Sequence, residues 1–141
     1  DPNEPSRFII LNLLAERPTN INVSLKEQGP VIDVNISLEA EFISIQSNIH
    51  YDTSERYAEA EQVISRMLKL HADRLVRKTQ KDFESDIFGF GKQARLNFLT
   101  WQQWEEYNWL DMYPGAQVNV HFDIDIRRIG LLREMEPARE N

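Results

Sequence analysis

From Ile32 to Phe42 the chain alternates without a break. Ile32, Val34, Ile36, Leu38, Ala40 and Phe42 share one parity; Asp33, Asn35, Ser37, Glu39 and Glu41 share the other. Successive side chains of a strand point to opposite faces, so this pattern demands a sheet with one dry face and one wet face. Sheets wet on one side are normally antiparallel, because parallel ones are covered on both faces. The pattern returns near the end of the chain. Val118, Val120, Phe122, Ile124 and Ile126 alternate there with Asn119, His121, Asp123, Asp125 and Arg127.

Between these strands the period changes. Tyr57, Ala60, Ile64, Met67, Leu68, His71, Leu75 and Phe83 recur at helical spacing between Asp52 and about Ser85. The spacing predicts an amphipathic helix on the order of 30 residues and 45 Å long. Only the dry face of the sheet can bury such a stripe. Asp52 and Glu55 stand at capping-box spacing at its start. Arg74, Arg77, Lys78 and Lys81 are surrounded by Asp73, Asp82, Glu84 and Asp86, which reads as a solvated face.

Shorter elements fill the rest. Arg7 to Leu14 reads as a first strand ended by Pro18, with a short helix as the alternative. Ile21, Val23 and Leu25 alternate in a second strand, and Gly29-Pro30 reads as a hairpin turn. Gly89 and Gly91 close the helical pattern. Phe90 to Asn97 and Thr100 to Met112 suit two shorter helices, the latter opened by Thr100 with Gln103 in a second capping box. Pro114-Gly115 supplies a turn. The expected fold class is α+β: an antiparallel sheet of about four strands, a long helix on one face, and one or two shorter helices. One domain spans residues 7–132, between a linker or frayed end at 1–6 and a charged tail at 133–141.

Charge and composition exclude several functions. A net charge of −7 repels a phosphate backbone, so no nucleic-acid partner is expected. No apolar run approaches the roughly 18 residues that span a bilayer. The chain has no cysteine, hence no disulfide or thiolate chemistry. It begins at Asp1 without a signal peptide and reads as a fragment of a longer protein, any membrane anchor lying outside it.

The search for chemistry is brief. His50, His71 and His121 lie far apart and match no metal-ligand spacing; His71 on the helical stripe reads as a hydrogen-bonded core residue. Asp123 and Asp125 share one side of a strand, roughly 7 Å apart, and read as solvent-facing carboxylates. No G-x-S-x-G occurs, and Gly89-Phe90-Gly91 lacks the third glycine of a dinucleotide loop. No catalytic, cofactor-binding or metal-binding residue is assigned, and the expected cofactor complement is none.

Two features remain. Two phenylalanines and two glycines follow the long helix in Ser85-Asp86-Ile87-Phe88-Gly89-Phe90-Gly91, an exit in which glycine permits a sharp reversal and the rings pin it to the core. Asp86 has the chemistry to accept backbone N–H bonds there or to cap the next helix. The second feature is the aromatic set Trp101, Trp104, Tyr107, Trp109 and Tyr113. Three indoles cannot all face the core from one helix, so at least one is expected at an edge, where partners are met.

These residues carry a resemblance. Gln80-Lys81-Asp82-Phe83-Glu84-Ser85-Asp86-Ile87-Phe88-Gly89-Phe90-Gly91 is similar to the signature of the Ger(x)C spore-germination lipoproteins, the C subunits of nutrient germinant receptors. One of Trp101 or Trp104, then Trp109 with Tyr113-Pro114, then Ile126-Arg127-Arg128-Ile129-Gly130 follow in the order of that family's C-terminal domain. The family's lipobox cysteine is not in this chain. The resemblance implies a non-enzymatic domain of a lipid-anchored protein on the outer face of the spore inner membrane. Its implied partners are the membrane-embedded A and B subunits, and its role is interaction and signal coupling during germination. Direct binding of an amino acid or sugar is the alternative. Candidate structural or interaction residues are Asp86, Phe88, Gly89, Phe90, Gly91, Trp101, Trp104, Trp109, Arg127 and Arg128.

Overall fold

The computed structural model describes residues 9–45 and 54–127. Strands β1 (Ile9–Ala15), β2 (Asn20–Lys26) and β3 (Gly29–Ile45) come first, then helix α1 (Ser54–Lys81). Short helices α2 (Phe90–Ala94), α3 (Trp101–Tyr107) and α4 (Trp109–Met112) lead into strand β4 (Gln117–Ile126). This is the expected α+β arrangement of four strands, one long helix and shorter ones. Asp52, His50, Arg128 and the expected linker and tail lie outside the described residues.

The 17-residue strand β3 is the spine of the sheet. Its first half pairs antiparallel with β2, and its second half pairs antiparallel with β1. Strands β1 and β2 therefore lie end to end along one edge of β3, separated at Pro18. The other edge carries β4, and this ladder is parallel, from Val31↔Gln117 to Ala40↔Ile126. Here the structure departs from a wholly antiparallel sheet. The alternation of β4 reports which face is wet and carries no information on direction. Direction is set by the route of the chain, and a helical crossover between strands returns it parallel.

The hairpin also differs in detail. Lys26 pairs with Gly29, so the turn residues are Glu27 and Gln28. Gly29 begins β3 at φ 119°, where a side chain would be strained. Pro30 lies inside β3, one residue before the β4 ladder begins, where its missing N–H costs no bond to that strand.

Helix α1 runs antiparallel to β4 and covers its open edge. The Ile126 N–H donates to Glu61 Oε1 at 3.0 Å, the Ser65 hydroxyl to the Phe122 carbonyl at 2.9 Å, and Gln80 Nε2 to the Ala116 carbonyl at 2.8 Å. Three polar side chains of one helix thereby occupy backbone groups that would otherwise invite another strand.

The dry face holds two clusters. Ala40, Phe42, Ala60, Ile64, Ile124 and Ile126 form one; Val23, Ile32, Val34, Val76, Phe90, Trp109, Tyr113 and Val120 belong to the other. The buried stripe of α1 runs through Ala60, Ile64, Val76 and Thr79, with Leu68 and Ala72 half-buried. Met67, His71, Leu75 and Phe83, placed on the stripe by sequence, are exposed. His71 is thus a surface residue, not a core one. Ala60, Ile64, Leu68, Ala72 and Val76 form an i, i+4 row that is apolar throughout; the sequence reading follows it as far as Leu68 and then shifts to the adjacent row through Met67, His71 and Leu75, whose side chains are larger than Ala72.

The end of α1 gives a simple prediction. Glu84 adopts φ 45°, a left-handed conformation that glycine occupies without the Cβ penalty. Glu84→Gly is expected to raise stability by about 0.5 kcal/mol, relief of strain outweighing the added freedom of the unfolded chain. A urea midpoint that falls would refute this.

Candidate functional site

After α1 the chain reverses around a single carboxylate. Asp86 Oδ1 accepts the Phe90 N–H at 3.0 Å, while Oδ2 accepts the Gly91 N–H at 2.7 Å and the Trp109 indole N–H at 2.9 Å. It satisfies the first donors of α2 from four and five residues upstream, and ties that turn to an indole 23 positions away. Gly89 precedes α2 at φ 74°, which a side chain would strain. Gly91 is required for a different reason. A Cβ there would sit 2.8 Å from Cδ1 and Nε1 of Trp109, inside contact distance.

Around this corner the aromatic residues form a connected set. Phe88 lies 5.1 Å from Phe90, and Phe90 lies 6.2 Å from Tyr113. Tyr113 is 6.0 Å from Trp109, which stacks on Trp104 at 6.2 Å. Phe98 meets Trp104 and Tyr107 at 5.7 and 5.0 Å. Such separations suit offset and tilted ring pairs. Phe90, Trp109 and Tyr113 are buried; Phe88 and Trp104 are partly open.

Tyr113 and polar side chains that the sequence reading gives no site role, Thr79 and Asn97 among them, lock the other side. Tyr113 is fully buried, and its hydroxyl pairs with that of Thr79, also fully buried, at 2.7 Å. Thr79 in turn donates to the Val76 carbonyl, and Gln80 Nε2 reaches the Tyr113 carbonyl at 3.0 Å. Asn97 donates to the Val23 carbonyl at 3.0 Å, fastening the 3₁₀ turn Arg95–Asn97 to β2. These polar residues lack a periodic signature. Gln80 and Tyr113 are the two that the resemblance includes.

Burial raises the Tyr113 hydroxyl above its ordinary value of 10.0; the Thr79 bond lowers it and the Asp86 carboxylate raises it. Tyr107 is raised by burial too. A raised phenol favours the protonated form in the folded state. Below pH 10 both states hold the proton and stability is full. Above it the unfolded chain ionises first, so stability is lost as pH climbs. Tyr113→Phe is expected to cost about 1 kcal/mol at neutral pH and to flatten this alkaline loss. Denaturant titrations at pH 7 and pH 11 test both.

Trp101 stands apart. It is 56% exposed, its indole N–H donates to Glu105 at 2.6 Å, and the Arg95 guanidinium lies 4.9 Å from its ring centre. This is the edge indole that the count of tryptophans anticipated. Leu96 and Leu99 beside it are 74% and 96% exposed. The backbone here is well held. Thr100 and Gln103 form the expected capping box, Thr100 Oγ1 accepting from the Gln103 N–H at 3.2 Å.

The remaining candidates scatter. The Arg127 side chain pairs with Glu39, and its N–H donates to the Ala40 carbonyl at 2.9 Å, closing the end of the β3–β4 ladder. It is remote in sequence from the corner and shares no hydrogen bond with it. Arg128 lies outside the described residues. His121, Asp123 and Asp125 are exposed on the open face of the sheet. No group of three or more His, Asp or Glu among the described residues could hold a metal ion. No helix among them is long and apolar enough to cross a membrane. A groove of about 310 Å3 lies where Leu75 of α1, Ile21 and Ile36 of the sheet, and Phe88 come together, with Thr19 at its rim.

The fold and its carboxylate-centred corner define a class, a small α+β domain with one long helix packed on a four-stranded sheet. The family model described as Spore germination B3/GerAC like, C-terminal, matches residues 1–130, and the chain belongs to that family. The "Crystal Structure of the GerBC protein" has the same fold with a TM-score of 0.65 at 10% identity. The match covers 85% of this chain and 42% of that one, so the chain spans less than half the length of that structure. No curated protein matches the chain.

Proposed function

We propose that this chain is a non-enzymatic interaction domain of a germinant-receptor C subunit, coupling nutrient detection to release of dormancy. The observation that carries this reading is the exposed run of Leu96, Leu99 and Trp101 on a rigidly capped segment. Large apolar residues held outside a core, with an arginine stacked on the indole, have the make-up of a protein-contact hot spot. The hydrogen-bonded corner of Asp86 to Gly91 then serves as the frame that positions this edge. Family membership supports a place in spore germination. Membrane-embedded A and B subunits are the proposed partners, reached from the outer face of the spore inner membrane through an N-terminal lipid anchor.

Direct nutrient binding is the weaker reading. The aromatic rings that motivated it contact one another. Thr19 is the one hydroxyl lining the 310 Å3 groove, which contains no charged side chain. Such a lining matches neither the ammonium and carboxylate of an amino acid nor the hydroxyls of a sugar.

The test is Leu99→Asp and Trp101→Ala introduced into the assembled receptor. Receptor assembly and germination rate are expected to fall, while the melting temperature of the domain changes little. Intact assembly and unchanged germination would dismiss this contact edge. Calorimetric titration of the domain with amino acids and sugars is expected to show no heat.

A further inference from the structure

The three outer edges of the sheet are treated differently. The β4 edge is occupied by Glu61, Ser65 and Gln80, and Asn97 reaches the β2 edge at Val23. Among the described residues no strand pairs with the outer edge of β1. Proline, lysine and other charged residues commonly guard such edges, yet Ile9–Ala15 reads IILNLLA with none of them. Moreover, Ile10 and Leu14 are 43% and 51% exposed, on the face where β3 presents Glu39 and Glu41. With Ile43 of β3, 64% exposed, they put large apolar side chains on a face that Asp33, Asn35, His121 and Asp123 otherwise make polar.

We propose that β1 pairs antiparallel with β1 of a second copy of this chain, about a twofold axis at Asn12. The hydrogen-bonding parity fits this register. The Glu16 N–H donates to the Ser37 carbonyl at 3.1 Å, so Glu16, Leu14 and Asn12 turn their backbone groups toward β3. Leu11, Leu13 and Ala15 therefore direct N–H and C=O outward. Centred on Asn12, Leu11 faces Leu13 of the second copy and Ile9 faces Ala15, each a doubly bonded pair. Asn12 faces its own equivalent at a non-bonded position, where side chains approach closely and amides can pair. Ile10 then covers Leu14 of the second copy, and the reverse holds on the other side of the axis. The strand is a near-palindrome of apolar residues about one asparagine, which suits an isologous contact.

Charge and size argue for the same occupant. Each chain carries −7, but the pairing strand carries no charge, so two copies meet there without like-charge contact. Seven residues give an edge about 24 Å long and one strand deep, at the low end of specific interfaces. The dimer is therefore concentration-dependent, and the twofold axis closes it.

Sedimentation equilibrium of the chain from about 5 to about 500 µM brackets the micromolar dissociation constants of so small an interface. The mass is expected to rise from 16.6 kDa toward twice that value. Asn12→Lys and Asn12→Asp should each weaken association at least tenfold, since each places like charges on the axis. Mixed in equal amounts they should restore it, because residue 12 faces itself. Leu14→Lys, at an exposed site, provides a second variant if either change at residue 12 alters the circular dichroism. A mass of 16.6 kDa throughout, open-ended oligomers, indifference to these variants, or no rescue on mixing would each overturn the proposal.

Discussion

Asp86→Ala is expected to destabilise the domain by about 4 kcal/mol, because three donors to one carboxylate lose their acceptor together. Each charge-assisted bond is worth roughly 1.5–3 kcal/mol in isolation, but bonds sharing one group are not additive. Two of the donors, the Phe90 and Gly91 N–H groups, belong to buried residues, and the third is the indole of a 5% exposed Trp109. At roughly 3–4 °C per kcal/mol for a chain of this length, melting should fall by about 12–16 °C. Asp86→Asn keeps the shape and one carbonyl acceptor, and should cost about half as much. A double-mutant cycle with Trp109→Phe isolates the indole bond. A loss below about 1 kcal/mol for Asp86→Ala would show that water replaces the carboxylate, and the corner would lose its proposed organising role.

Gly91→Ala is expected to cost about 2–3 kcal/mol, although alanine is the better helix former by about 1 kcal/mol. The steric effect wins because the obstacle cannot withdraw. A Cβ at position 91 would press at 2.8 Å on an indole ring that is stacked on Trp104 and lies against Tyr113. To move, the ring must also release Asp86. The variant should show a lower urea midpoint and an altered near-ultraviolet dichroism from displaced tryptophan. Increased stability would mean that Trp109 has room to shift, contrary to its burial. Gly89→Ala probes the same motif through backbone strain, so the two glycines are separable by mechanism.

Much of the domain was legible in one dimension. The alternation of Ile32 to Phe42 marked β3, the capping box at Thr100 marked α3, and the surplus of indoles marked an exposed tryptophan, which is Trp101. Each is a local property, encoded by side-chain spacing or by a reciprocal bond between near neighbours. His71 shows the limit of that logic. Two adjacent rows of α1 are both fairly apolar, and the sheet selects the row with Ala72 and Val76 because small residues permit close approach. Asp86 was legible as a turn residue able to accept backbone N–H bonds, but nothing local connects it with Trp109.

Sequence alone thus determined the element types, the wet and dry faces, the sharp exit after α1 and the kinship those residues carry. Tertiary structure decided the parallel direction of β4, the row of α1 that is buried, the Thr79–Tyr113 and Asp86–Trp109 pairings, and which sheet edge has no partner strand among the described residues. The reason is range. Periodicity and capping act within a turn or two of chain, whereas strand direction and long-range hydrogen bonds depend on where the backbone travels between distant residues.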